Sequence, residues 1–379
     1  MGRYQEFIRP VWAEINLDAI RHNLAEIRRL VGPAVEIMAV VKAEAYGHGA
    51  VKIAKAAIQS GANWLGVALS EEGIELREAG INVPILVFSP LQTSQAEAIV
   101  KYDLTPTISM LEPAVALSRA AVASRKTVSF HVKIDTGMGR IGIPANEGIV
   151  FIKKLQPLPG LIFDGVFSHL ATADEADKEY AKYQIKNFNK VIVDLKDEGL
   201  LPTKVHLANS AAIIDLPLAY YNMVRPGIML YGMYPSLEVN VKEVQLKPAF
   251  MLKTKVVFIK RVAQGSTISY GRKYIVPSES TIVTIPIGYA DGWSRRLSGK
   301  AEVLISGKRF PIVGTICMDF CMVDVGDEPV EIGQEVVLIG SQGAEYITVD
   351  EIANHLGTIN YEVTCMISDR VPRRYLDEN

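Results

Sequence analysis

From about residue 34 to residue 230 the chain alternates short β-type runs with helical patterns, an order that points to βα units around a parallel sheet. The candidate strands are VEIMAVV, NWLGVAL, VPILVFS, LTPTISM, VSFHVKID, FDGVFSH, KVHLANS and NMVRPGIMLYG. They number roughly eight, which closes a (β/α)8 TIM barrel. Between them run amphipathic stretches such as GAVKIAKAAIQSGA, whose Val51, Ile53, Ala54, Ala57 and Ile58 recur at helical spacing before Gly61. After about residue 240 the texture becomes β-rich without long helices, which predicts a second, all-β domain. The early VWAEINL run also reads as a strand and is expected to return to that second domain. The helix after it, LDAIRHNLAEIRRLVG, has Asp18 as its expected N-cap. The expected division is residues 14–240 for the barrel and 1–13 plus 241–379 for the β domain.

Composition narrows the partners. With 379 residues, a formal charge of −2 and no Lys/Arg block, the chain lacks the basic face that nucleic acid needs. No apolar run approaches membrane-spanning length, and MGRYQEFIRPVW has no signal-peptide core. Glu6 stands where a myristoylation motif at Gly2 needs Ser or Thr. A cytoplasmic protein acting on small molecules is expected, with no membrane partner. Cys317, Cys321 and Cys365 form neither a disulfide framework nor, with any His pair, a metal site, so no metal is expected.

In a (β/α)8 barrel the functional groups sit at the C-terminal ends of the strands. Those positions are Lys42 and Tyr46; Lys133, Asp135 and Arg140; Ser168 and His169; Asn209 and Ser210; Arg225 and Gly227. An ammonium at the end of a buried strand is costly unless neutralised, paired or used covalently. Lys42 either reaches solvent just beyond its strand or is a desolvated lysine able to form a Schiff base. Ser210 and the amides around Gly227 and Ile228 suit a phosphate. Spacing alone leaves pyridoxal phosphate beside sugar-phosphate or metal chemistry on the same fold.

AVVKAEAYGHG resembles the cofactor-lysine motif of the alanine racemases. The resemblance continues in order through HVKIDTGMGRIG, FSHLATADE, HLANSAA, VRPGIMLYG, SYGRKY, GTICMDFCMVDV and INYEV, over nearly the whole chain. It implies a pyridoxal 5'-phosphate-dependent enzyme that interconverts L- and D-alanine, supplying D-alanine for bacterial cell-wall peptidoglycan. By the same resemblance, Lys42 is the covalent anchor and one catalytic base, and Tyr270 is the opposite base. Tyr46, Ser210, Gly227, Ile228 and Tyr361 hold the phosphate, and Arg225 faces the pyridine nitrogen. Arg140 contacts the cofactor's phenolic oxygen and the substrate carboxylate, which Met318 meets through its backbone amide. Lys133 matches a lysine carbamylated in many relatives to N6-carboxylysine, and His169 is implied to bridge Tyr270 to Arg225. The resemblance further implies a homodimer with shared active sites, Tyr270 entering from the second subunit. Where relatives commonly carry Asn or Asp, this chain has Glu44.

Inverting an α-carbon requires acid–base groups on both faces, which suits Lys42 and Tyr270. A tyrosine with a pKa near 10 needs a nearby cation to act as a base at neutral pH. A guanidinium at the ring nitrogen weakens the electron sink, because it cannot readily hand over a proton. Each residue also has an ordinary reading: His169 as a core histidine, Arg225 as an ion-pair partner, Tyr270 as a loop aromatic and Lys133 as a plain lysine. His22, His48, His131, His206 and His355 are read as structural, and Cys317 as pocket-lining. The rival functions are a non-catalytic pyridoxal-phosphate-binding protein, against which residues 241–379 with Tyr270 speak, and a decarboxylase, against which Arg225 speaks. A racemase of serine or of a broader amino-acid range remains open, since one small group changes binding by only about 1–3 kcal/mol.

Overall fold

The protein is described by a computed structural model covering residues 8–377. Residues 1–7 and 378–379, which the sequence assigns to the β domain, lie outside it. The described residues form two compact units: Ala19–Ala45 with Gly49–Pro248, and the residues up to Asp18 with Tyr46–His48 and those from Ala249 onward.

The first unit is a closed parallel barrel. Its strands are Glu36–Val40, Trp64–Val67, Ile85–Pro90, Thr105–Ile108, Val128–Asp135, Leu161–Phe167, Lys204–His206 and Met223–Val224, the last pairing with the first. They coincide with the predicted runs, although the eighth is only two residues long before the chain turns into a short 3₁₀ segment at Ile228–Tyr231. Met38, Trp64, Leu86, Phe167 and Met223 meet in a buried cluster supplied by five of these strands. The helices carry the expected apolar faces, as in Ala50–Gln59, which buries Ala50, Ile53, Ala54, Ala56 and Ala57.

The second unit is a long, mostly antiparallel sheet. Val11–Asn16 joins it as expected, antiparallel to Phe250–Lys255 and parallel to Arg373–Leu376. Glu302–Ile305 and Lys308–Val313 form a hairpin across Ser306 and Gly307, whose φ values of 51° and 74° fit the turn that matches strand twist. The unit is not all-β: Val349–Leu356 and Asn360–Met366 are helices. The first is announced by Thr348, whose side chain accepts from Glu351 N, and stopped by Gly357 in the left-handed region. Asp18 is not an N-cap either. The helix begins at Leu17, so Asp18 lies in its first turn, where its charge favours the helix dipole.

The unit boundary at Asp18 and Ala19 falls at this helix start because Val11–Asn16 spends its hydrogen bonds in the sheet. On the other side, Asn23 ties Leu230 and Lys247 to the barrel, which carries that unit on to Pro248.

Directly after the first barrel strand, Ala43, Glu44, Ala45 and Tyr46 have φ values of 52°, 52°, 51° and 55°. This is a left-handed turn of L-residues, costing about 1–2 kcal/mol per residue. Carboxylates hold it: Glu72 Oε1 accepts from Ala43 N at 2.6 Å, and Glu44 Oε2 accepts from Ala50 N at 3.2 Å. The departure at Glu44 thus keeps a carboxylate on the next helix, but gives up the left-handed tolerance of Asn or Asp. Ala43 is exposed, so Ala43→Gly should leave the unfolding temperature unchanged or raise it. Ala56→Gly, in the right-handed helix, should cost about 1 kcal/mol. Equal losses at both positions in thermal unfolding would contradict the left-handed turn.

Candidate active site

At the barrel's C-terminal end, Lys42 follows the first strand and Lys133 lies on the fifth, where alternation turns residues 131, 133 and 135 to one face. Lys133 is 4% exposed, with Nζ 5.5 Å from the Phe167 ring centre. Burial first, then the charges of Arg140 and Arg225, pull its ammonium down to about 7, against the opposing pull of Asp135. Lys42 adds to the repulsion.

Asp135 is occupied elsewhere. Its carboxylate accepts from the backbone N–H groups of Gly137, Met138 and Gly139, shaping the loop that carries the exposed Arg140. Gly142 is needed there: at φ 126°, a Cβ would come within 2.9 Å of Asp135 N.

Arg225 is buried and, among the described residues, has no carboxylate bonded to it. Nη1 donates to His206 Nδ1 at 2.7 Å and His206 O at 2.9 Å; Nη2 donates to Ser168 O at 2.7 Å and Leu207 O at 2.9 Å. Burial, then the charge of Arg140, draws its guanidinium down to about 9, so it stays charged at neutral pH. The imidazole hydrogen-bonded to Arg225 is His206, which sequence reasoning left as structural; among the described residues no side-chain bond joins His169 to Arg225. His169 is half-buried, its carbonyl accepting from Gln184 Nε2 at 3.0 Å. Burial, then the charges of Arg225, Lys133, Arg140 and Lys42, depress its pKa well below the usual range. Lys42, Lys133, Arg140, Arg225 and His169 thus share one electrostatic neighbourhood that favours anions.

Ser210 opens the helix Ser210–Asp215, capped by Asn209 accepting from Ala212 N at 3.0 Å. The buried Oγ of Ser210 accepts from Gly227 N at 2.9 Å and Met229 N at 3.4 Å, holding one hydroxyl against the turn that runs from Gly227 into the segment Ile228–Tyr231.

The remaining candidates lie in the β unit. Tyr46 is buried, its ring centre 5.9 Å from that of Tyr361, and burial followed by Cys365 pushes its phenol up. Gly47 admits no side chain, since a Cβ would sit 2.2 Å from Thr364 O. Tyr270 is 71% exposed, in a turn between Ser269 and Gly271 at φ 64° and 71°. Thr315 Oγ1 donates to Tyr270 O at 2.9 Å, tying that turn to the loop that leads to Cys317 and the 52%-exposed Met318. Cys317 Sγ lies 3.5 Å from Ser269 Oγ.

Residues 15–235 match the family model "Alanine racemase, N-terminal domain", and residues 249–375 match "Alanine racemase, C-terminal domain". The chain belongs to the alanine racemase family. An alanine racemase of Clostridium novyi (strain NT) is 49% identical over 372 residues, covering 97% of this chain and 96% of that one. The solved alanine racemase of Clostridium difficile 630 superposes with a TM-score of 0.93 at 45% identity, covering 98% of this chain and 97% of that one. A solved histidine racemase from Leuconostoc mesenteroides subsp. sake shares the fold at a TM-score of 0.91 and 30% identity, covering 99% of this chain and all of that one. The two alanine racemase family models meet between residues 235 and 249, beside the end of the barrel unit at Pro248.

Burial also depresses the pKa values of His131 and His206. With His169, these groups bind fewer protons folded than unfolded below about pH 6.5, so stability falls as pH drops through that value. Lys133 does the same between about 7 and 10.5, where stability rises with pH by up to about 1.4 kcal/mol per unit. In thermal unfolding of the cofactor-free protein, Lys133→Met should flatten the rise between pH 7 and 9 and leave the acid-side fall in place. An unchanged slope above pH 7 would refute the depressed lysine.

Proposed function

We propose that the protein interconverts L- and D-alanine on pyridoxal 5'-phosphate, with Lys42 and Tyr270 as the two bases. The carrying observation is the barrel end itself, where the charges of Arg140, Arg225 and Lys42 bear on the buried Lys133 while the Asp135 carboxylate that opposes them is bonded to its own loop. That donor set fits the cofactor: a phosphate suits Ser210 Oγ with the amides of Gly227 and Ile228, and a phenolic oxygen suits Arg140.

Tyr46 and Tyr361 would add hydroxyls to the phosphate, Arg225 would face the ring nitrogen, and Met318 would meet the substrate carboxylate with Arg140. When bound, the cofactor withdraws electrons from the substrate and acidifies its α-proton. Lys42 then takes or returns that proton on one face, and Tyr270 does so on the other. Arg225 stays charged at neutral pH and does not readily hand the ring a proton, so the electron sink stays weak and the proton returns promptly to the α-carbon. His169, neutral beside several cations, is suited to accept a hydrogen bond from the phenol of Tyr270.

Lys133 is an amine poised near neutrality among positive charges, which favours its addition to CO2 with release of a proton. The resulting carbamate would turn the Arg140 repulsion into attraction and orient that side chain.

Tyr270, Tyr289, Met318 and Phe320 are large side chains left exposed in the single chain. They support a homodimer in which Tyr270 of the partner subunit completes each site. The assignment to alanine rather than histidine rests on identity, 49% against 30%. A cytoplasmic enzyme supplying D-alanine for peptidoglycan follows from this reading, and among the described residues no helix is long and apolar enough to cross a membrane.

Loaded with pyridoxal 5'-phosphate, the protein should bring L-alanine to an equal mixture of enantiomers, with serine slower by about tenfold or more. Borohydride reduction and peptide mapping should place the cofactor on Lys42. An adduct elsewhere, or a loaded protein that leaves L-alanine unchanged, would refute the assignment.

A further inference from the structure

The hydrogen bonds of Arg225 do not end at His206. His206 Nε2 lies 2.9 Å from His131 Nδ1, and His131 Nε2 lies 3.7 Å from Asp164 Oδ2, beyond direct hydrogen-bonding distance. The His131 and His206 rings and the Arg225 side chain are buried, whereas Asp164 is partly exposed.

A guanidinium only donates, so His206 Nδ1 must accept and its proton must sit on Nε2. That proton then points at His131 Nδ1, which must accept in turn, leaving the His131 proton on Nε2 facing Asp164. One donor-only group thus fixes the tautomer of two imidazoles, and the line of donors runs from the barrel mouth to a carboxylate.

The backbone is shaped around this line. Strands Val128–Asp135 and Leu161–Phe167 pair Phe130 with Phe163 and then His131 with Gly165, so Asp164 is the extra residue of a β-bulge. Gly165 leaves the space that the ring fills, since a Cβ there would lie 2.5 Å from His131 Nε2. Thr203 Oγ1 donates to Asp164 Oδ1, and Phe167 stacks on His206 at 4.8 Å with the rings 4° from parallel.

We propose that Asp164 and His131 are positioning residues, acting through His206 to fix how the Arg225 guanidinium is held at the barrel mouth. The line is a property of the cofactor-free chain; its effect on the ring nitrogen rests on the proposed function. Burial keeps both imidazoles neutral, and the carboxylate at the far end retains its charge.

The test is nitrogen NMR of histidine-labelled, cofactor-free protein near neutral pH. Wild type should show His206 and His131 each protonated on Nε2 and bare on Nδ1. Asp164→Asn, which keeps the size and removes the charge, should perturb the signals of both rings. Once loaded with pyridoxal 5'-phosphate, it should shift the cofactor's absorbance and lower kcat about tenfold at unchanged KM. Thr203→Val, which leaves the carboxylate in place, should do neither. A wild-type His206 protonated on Nδ1, or Asp164→Asn rings identical to wild type, would overturn the proposal even if the variant folds poorly. So would altered rings in Asp164→Asn without an absorbance shift. A protein that takes up no cofactor while showing the expected tautomers would refute the proposed function and leave the hydrogen-bonded line standing.

Discussion

Positive charge withdrawn from water in excess of the carboxylate beside it is the constraint on which the barrel end depends. Arg225 is held by the carbonyls of Ser168, His206 and Leu207 and by one imidazole, so its charge is solvated by dipoles and not cancelled. Lys133 and His169 respond by giving up their protons more readily. A site of this kind favours ligands that bring negative charge, and a phosphate together with an amino-acid carboxylate brings it at two points.

Strain and close approach keep the surrounding backbone in place. The left-handed run from Ala43 to Tyr46 reverses the chain immediately after Lys42, where a right-handed turn would send Tyr46 elsewhere. Gly142 lets the Arg140 loop fold back onto the fifth strand, and Asp135 binds that loop with the same carboxylate that partly offsets Lys133. The shape of the loop and the electrostatics of the site are therefore one arrangement: the carboxylate that folds the loop offsets only part of the effect of burial and the neighbouring cations on Lys133.

The eight barrel strands were legible because each is an apolar run long enough to show its type, and the amphipathic helices between them repeat at helical spacing. The helices Val349–Leu356 and Asn360–Met366 were not read, since two short helices among strands carry little periodic signal, although Thr348 and Gly357 marked the ends of the first. Lys133 could be flagged at a strand end, and alternation placed His131 on its face, but nothing local paired His131 with His206 across 75 positions. Asp164 was hidden more completely, because its role comes from a bulge and a bulge is set by the pairing of two strands. The motifs around Lys42 and Tyr270 carry the functional reading, whereas the pairing of Arg225 with His206 arises only where the folded barrel brings the two side chains together.

The central claim is that protons leave and return on opposite faces through two different groups, Lys42 and Tyr270. Following the α-hydrogen of L-alanine during the first turnovers in deuterium oxide measures this most directly. Two bases predict deuterium in the D-alanine formed while the remaining L-alanine keeps its hydrogen. Product that retains the original hydrogen, or deuterium entering both enantiomers equally from the start, would show a single base and contradict the account.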